Sequence, residues 1–133
     1  MIPHFNVLHK AAKKANHKQH KMACVLTRGG SIVSVGYNTN YIHAEHNALN
    51  KAWENGADGT VAFVVRFRSN GDLGMAKPCS LCMARLMQAG VKRVHYSDVD
   101  GSIKSVKLKK QEFSPFLLEY HFRRVRRKPV VRR

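Results

Sequence analysis

His43-Ala44-Glu45, followed later in the chain by Pro78-Cys79-Ser80-Leu81-Cys82, constrains this sequence more than any other feature. One imidazole and two thiols form a donor set that suits Zn²⁺. Three protein ligands leave the fourth tetrahedral position open, whereas a structural zinc site is normally closed by a fourth ligand. Cys79 and Cys82 stand three apart, so on the first turn of a helix opening at Pro78 both sulfurs face the same way, near a helix N-terminus that favours thiolate. His43 falls at the start of an earlier helix over 44–55. Glu45, two positions on, reaches a metal-bound water without joining the coordination shell.

Each motif alone has an ordinary reading. A lone C-x-x-C is a redox pair or half of a zinc knuckle, and a lone H-x-E near a helix start is a cap beside a solvated charge. Together with Pro78, in this order, they match H-x-E…P-C-x-x-C, the known signature of the zinc nucleobase deaminases. The chemistry can be rebuilt from its parts. One zinc ion lowers the pKa of its water to about 7, giving a hydroxide that adds to C4 of cytosine or C6 of adenine. Glu45 takes the water proton, protonates the ring nitrogen and helps the amino group leave as ammonia.

On these residues the chain resembles the cytidine deaminase superfamily, in the CMP/dCMP-type branch that also holds the tRNA adenosine deaminases. The resemblance runs from about Met22 to Ser97 and includes Gly36-Tyr37-Asn38, His43-Ala44-Glu45-His46-Asn47-Ala48-Leu49 and Gly90-Val91-Lys92-Arg93-Val94-His95-Tyr96-Ser97. It implies that Asn38 contacts the substrate sugar or base and that the backbone around Ala44 and Pro78 grips the base edge. It also implies a homo-oligomer. His43 in the first ligand position is unlike the free cytidine deaminases, which usually place Cys there, and Asn47-Ala48 is similar to the dCMP-type H-A-E-x-N-A. Cytosine is the favoured base.

The order of elements is read from periodicity. Val7, Leu8, Ala11, Ala12 and Ala15 predict a helix over 6–18 with a basic outer face. Strand-like runs over 22–27 and 31–37 flank Arg28-Gly29-Gly30, whose composition marks a hairpin turn. After the helix over 44–55 come a strand over 60–68, a loop over 69–77, the cysteine helix over 79–89 and a strand over 91–97. This is α/β: a three-layer arrangement with a mixed, roughly five-stranded sheet flanked by helices, two of which carry the zinc site. The resemblance implies that those two helices pack side by side on one face. Asp98-Val99-Asp100-Gly101 and a strand over 102–108 then predict a tight antiparallel return. The dCMP and tRNA deaminase branch usually inserts a helix there and adds its last strand in parallel.

At 133 residues the chain suits one domain, expected over 1–122, with a basic tail over 123–133. No leading apolar stretch resembles a signal peptide, and the run Val61 to Val65 is too short to span a membrane, so an intracellular, non-secreted protein is expected. Two of the three cysteines go to zinc and Cys24 reads as core, leaving no disulfide. His17-Lys18-Gln19-His20 reads as a solvated basic loop and not as a second metal site. For His46 a pocket role and a structural role both stay open, and Tyr41, His95 and Tyr96 are weaker pocket candidates.

Charge is the second feature. The formal net charge is +16, and no acidic residue precedes Glu45. Lys13, Lys14, Lys18 and Lys21 on one side, and Arg123, Arg124, Arg126, Arg127 and Lys128 on the other, make a field that attracts polyanions. Phe113, Phe116, Tyr120 and Phe122 interleave with the second group and read as core packing rather than base stacking. Single-stranded DNA or RNA is therefore the expected substrate, since its bases are unstacked at little cost. Free dCMP or CMP, adenosine in tRNA, and a non-catalytic zinc-stabilised nucleic-acid-binding module are the alternatives. The retained Glu45 argues against the last, because a purely structural site has no use for that carboxylate.

Overall fold

The computed structural model describes residues 2–15, 21–39, 41–52 and 56–108. Lys18, the stretch from His17 to His20, the four interleaved aromatics and all five tail cations named above lie outside the described residues.

The elements are α1 (Phe5–Lys13), β1 (Lys21–Arg28), β2 (Ser31–Tyr37), α2 (Ala44–Ala52), β3 (Val61–Phe67), β4 (Leu73–Gly74), α3 (Ser80–Gln88), β5 (Arg93–Ser97) and β6 (Ile103–Lys107). The sheet order is β2-β1-β3-β5-β6, with β4 paired to β3. All pairings are antiparallel except β3 with β5, which α3 joins as a parallel crossover. The mixed sheet and its layers are as the sequence implies, with one strand more than expected.

Alternation along the strands divides the core into two layers. Cys24, Leu26, Ala62, Val64 and Val94 pack with Ala44 and Ala48 of α2 and Leu86 of α3. Ala23, Val25, Phe63, Val65 and Phe67 turn to the other face and meet Leu8, Ala11 and Ala12 of α1. These three α1 residues recur at helical spacing, and Lys10 and Lys13 in the last turn complement the helix dipole. Cys24 is fully buried, as expected, and burial pushes its thiol up. No helix among the described residues is long and apolar enough to cross a membrane.

The turns follow from sequence. Gly29 and Gly30 both take positive φ (59° and 86°), the two-residue hairpin geometry that lets Arg28 pair with Ser31. β6 returns antiparallel to β5, as Asp98-Val99-Asp100-Gly101 predicts, closed by Asp98 N–H donating to Ser102 O (2.8 Å). The segment expected as a plain loop over 69–77 instead holds β4. Arg68 N–H donates to Asp72 O at 2.8 Å and turns the chain back along the end of β3, so β4 extends the line of β5. Two residues, one of them Gly74, carry no period from which a strand could be read.

Two devices fix the metal-bearing helices. α3 ends in a Schellman motif, with Gly90 N–H donating to Met87 O and Val91 N–H to Leu86 O, which sends the chain directly into β5. α2 lies directly on β2: Ser34 Oγ donates to Ala48 O at 2.9 Å, and Asn47 Oδ1 accepts from Tyr37 N–H at 3.1 Å. Gly36 makes this approach possible, because a Cβ there would overlap Ala48 N and lie 2.8 Å from Ala48 Cα. Gly36→Ala should therefore lower the urea midpoint by the equivalent of about 1–3 kcal/mol, and an unchanged midpoint would mean that α2 can lift from the sheet without cost.

Candidate active site

His43 immediately precedes α2 and its carbonyl accepts from Asn47 N–H at 2.9 Å, so the residue caps the helix and its ring projects from the helix start. Cys79 is the N-cap of α3 in extended conformation (φ −69°, ψ 169°), and its carbonyl accepts from Met83 N–H at 2.8 Å. Cys82 sits in the first turn. The expectation that both cysteines share a helical turn is corrected by one residue: α3 opens at Ser80, and the two sulfurs meet across the cap.

The three donor atoms of His43, Cys79 and Cys82 lie within 4.8 Å of one another, with His43 Nδ1 3.3 Å from Cys82 Sγ. A tetrahedral zinc with bonds of about 2.0–2.3 Å holds its donors about 3.3–3.8 Å apart, so the cluster fits that ion with small side-chain adjustments. The ligand chemistry agrees, being one borderline and two soft donors with no carboxylate in the group.

Glu45, in the first turn of α2, is 2% exposed. Burial pushes its carboxyl above the ordinary glutamate range, opposed by its own backbone N–H and by the nearby His43. Burial, then Glu45, then Cys79 push the Cys82 thiol up as well. The Cys82 thiol and the Glu45 carboxyl thus both resist ionisation in the absence of a cation. A divalent metal among them reverses that preference, because ligating thiols are deprotonated outright.

The group opens onto a cleft of about 470 Å³ lined by His43, Glu45 and Cys79 together with Asn38, Thr39, Tyr41, Ile42, Met22, Met75, Arg66 and Lys77. Thr39 shapes one wall, its Oγ1 accepting from the backbone N–H of Tyr41 (3.1 Å) and Ile42 (3.2 Å). Asn38 is buried and its Oδ1 accepts from Met22 N–H at 2.9 Å. Ala44 and Pro78 are buried beside the ligands but are not among the lining residues.

Other expectations resolve in different ways. Tyr41 stands at the cleft, 93% exposed. Tyr96 is buried in the core beneath α2 and α3, and His95 stacks on Phe63 at 4.8 Å on the opposite face, so neither belongs to the cleft. His46 meets Arg85, with Nε2 2.7 Å from Nη1, tying α2 to α3. Lys13 and Lys14 lie at the C-terminal end of α1, on the layer opposite α2 and α3, and Lys21 Nζ donates to Ala15 O. None of these three lysines lines the cleft. Arg66, Lys77, Met22, Thr39, Ile42 and Met75 are lining residues the motifs do not reveal. Only Arg66 left a sequence signal, a lone charge inside the apolar run of β3.

A family model for the cytidine and deoxycytidylate deaminase zinc-binding region matches residues 3–98. The chain belongs to this family. Among solved structures it is similar to the dCMP deaminase of cyanophage S-TIM5 in apo form, 26% identical, with a TM-score of 0.56 over 71% of this chain and 79% of that one. The same enzyme in complex with dCMP and dUMP gives 26% identity and a TM-score of 0.55, over 71% and 77%. RibD of Acinetobacter baumannii, 20% identical with a TM-score of 0.51 over 70% of this chain and 26% of that one, shares the fold. A search of curated proteins finds no match. The chain is a zinc-dependent deaminase holding one Zn²⁺, and the group of His43, Cys79 and Cys82 is positioned for it.

Two measurements bear on the ligand set and on Glu45. Elemental analysis should find about one zinc per chain, falling well below that in Cys82→Ser and in His43→Ala; full retention in both would remove these residues from the ligand set. In the metal-free protein, a carboxyl whose folded-state pKa is raised binds more protons folded than unfolded, so stability falls as pH rises through the unfolded-state value. Metal-free Glu45→Gln should thus melt above metal-free wild type at neutral pH, the gap closing below about pH 4.3, the ordinary glutamate value. A gap independent of pH would contradict the raised pKa.

Proposed function

We propose that the chain deaminates the cytosine ring of a free nucleotide, converting dCMP to dUMP with release of ammonia. The observation that carries this reading is the likeness to the cyanophage dCMP deaminase, which extends over most of both chains. The cleft supports it: one concave site beside the ligand group, within the size range of pockets that enclose a single small molecule. The net charge of +16 favours a polynucleotide instead. That reading loses ground because Lys13 and Lys14 stand on the far layer of the sheet, away from the lining.

In this mechanism His43, Cys79 and Cys82 hold the metal, and Asn38 positions the nucleotide at the cleft wall. Zinc, when bound, supplies Lewis acidity that makes water a competent nucleophile at neutral pH. Glu45 moves the protons. Its carboxylate takes one from the attacking water and delivers it to the ring N3. It then passes the second to the exocyclic nitrogen, so that the C4–N bond breaks and ammonia leaves as the C4 carbonyl forms. Glu45 suits both halves of this task by position, being buried in the first turn of α2 and the one acidic residue lining the cleft among the described residues.

Adenosine deamination would use the same residues, and base preference alone separates the two. Zinc-loaded protein incubated with dCMP, CMP and short single-stranded DNA and RNA carrying cytosine and adenine, read by mass spectrometry, should convert dCMP. Glu45→Ala should lose about 10²–10⁴-fold in kcat. Conversion confined to the oligonucleotides would return the substrate to a polynucleotide.

A further inference from the structure

Arg66 stands inside an otherwise apolar strand, Val61-Ala62-Phe63-Val64-Val65-Arg66-Phe67. By alternation it follows Ala62 and Val64 onto the face of the sheet that carries α2 and α3, and its side chain lines the cleft. Its backbone is satisfied, the N–H donating to Ser97 Oγ at 3.2 Å. Its side chain is not: Nε is buried with no hydrogen-bond partner, and the guanidinium makes no ion pair among the described residues. A buried donor left unpaired is costly, and it is open to a partner that is not part of the folded chain.

The surroundings say what kind of partner. Glu45 is the one acidic residue lining the cleft among the described residues, and it forms no ion pair with Arg66. Lys77, exposed and next in sequence to Pro78-Cys79, adds a second cation to the same lining, also without an ion pair among the described residues. A planar guanidinium beside an ammonium, in a cleft with a single buried carboxyl, is suited to a tetrahedral oxyanion.

We infer that Arg66 and Lys77 form a phosphate subsite of this cleft, holding the phosphate attached to the sugar while the base is presented to Glu45. The inference rests on the nucleotide-deaminase reading and deepens it by naming the specificity determinants. The hairpin that carries β4 contributes directly: it ends Arg66's strand and brings the chain from Gly74 back past Met75 to Lys77, and both cations line the cleft onto which the ligand group opens. A terminal phosphate of a free nucleotide and an internal phosphodiester both offer anionic non-bridging oxygens to such a subsite, the first carrying more charge.

The test compares zinc-loaded wild type, Arg66→Gln and Lys77→Ala on dCMP, on deoxycytidine and on a short single-stranded DNA containing cytosine. Binding of dUMP against deoxyuridine is measured by calorimetry. Arg66→Gln should raise KM for dCMP and Kd for dUMP by about 10- to 100-fold, the size of losing a charge-assisted hydrogen-bonded pair, with kcat nearly unchanged. Deoxycytidine and deoxyuridine should move less than about threefold, because they lack the group that the guanidinium holds. Lys77 is exposed, so Lys77→Ala tests the subsite without disturbing the strand and should shift the same phosphate-bearing ligands several-fold. Equal losses on dCMP and deoxycytidine, or on dUMP and deoxyuridine, would overturn the subsite. If only the oligonucleotide is converted and Arg66→Gln raises its KM, the subsite stands with a phosphodiester as ligand and the free-nucleotide reading falls.

Discussion

Everything at this site depends on bringing the starts of two helices to one point above the sheet. His43 caps α2, Cys79 caps α3, and Cys82 follows one turn later; none of them contributes its donor unless both helices are held at the right depth. That depth is set on one side by the absence of a side chain at Gly36, which lets the α2 backbone settle against β2, and by Ser34 and Asn47, which fasten it there. On the other side it is set by the Schellman end of α3, which fixes where the helix leaves for β5. The parallel β3–β5 pairing is the geometric result of returning through α3, so sheet topology and ligand convergence are one constraint.

The same packing creates an electrostatic demand. Glu45, Cys82 and Cys24 are all pushed toward their neutral forms by burial, and the Glu45 charge makes both thiols harder still to ionise. A cluster of this kind stores a preference for a dication, since metal binding supplies the compensation that water cannot reach in to give. A bound dication would add positive charge beside the Glu45 carboxyl and oppose the push that burial gives it toward its neutral form.

How much of this was legible in the sequence varies with how local the information is. The candidate ligands, the Glu45 beside them and the antiparallel return after Asp98-Val99-Asp100-Gly101 are written in short motifs whose chemistry does not depend on distant residues. β4 was not legible, because it exists only through its pairing with Arg66 and Phe67. The one-residue shift at Cys79 has a similar origin: Pro78 marks a helix opening, but the cap geometry that places Ser80 first is a tertiary outcome. Asn47 carried a family resemblance in sequence, and the fold shows what it does, accepting the Tyr37 N–H that ends β2. The cleft walls were invisible for the most general reason. Met22, Thr39 and Met75 come from three segments far apart in sequence and meet only once the sheet has formed.

Charge shows the limits of composition most clearly. A net +16 is a statement about long-range attraction, and it acts on any polyanion regardless of where the cations stand. Discrimination between substrates needs placement. Among the described residues the numerous lysines before Glu45 contribute to the field without reaching the cleft, whereas Arg66, a single charge in a strand of apolar neighbours, is one of the two cations that do. A half-buried guanidinium whose Nε is sequestered without a hydrogen-bond partner is better placed for recognition than several solvated ammonium groups, because water competes less for that donor. The field and the cleft are thus separable functions of one basic chain: the first gathers anions of every size, and the second decides which of them is held beside Glu45.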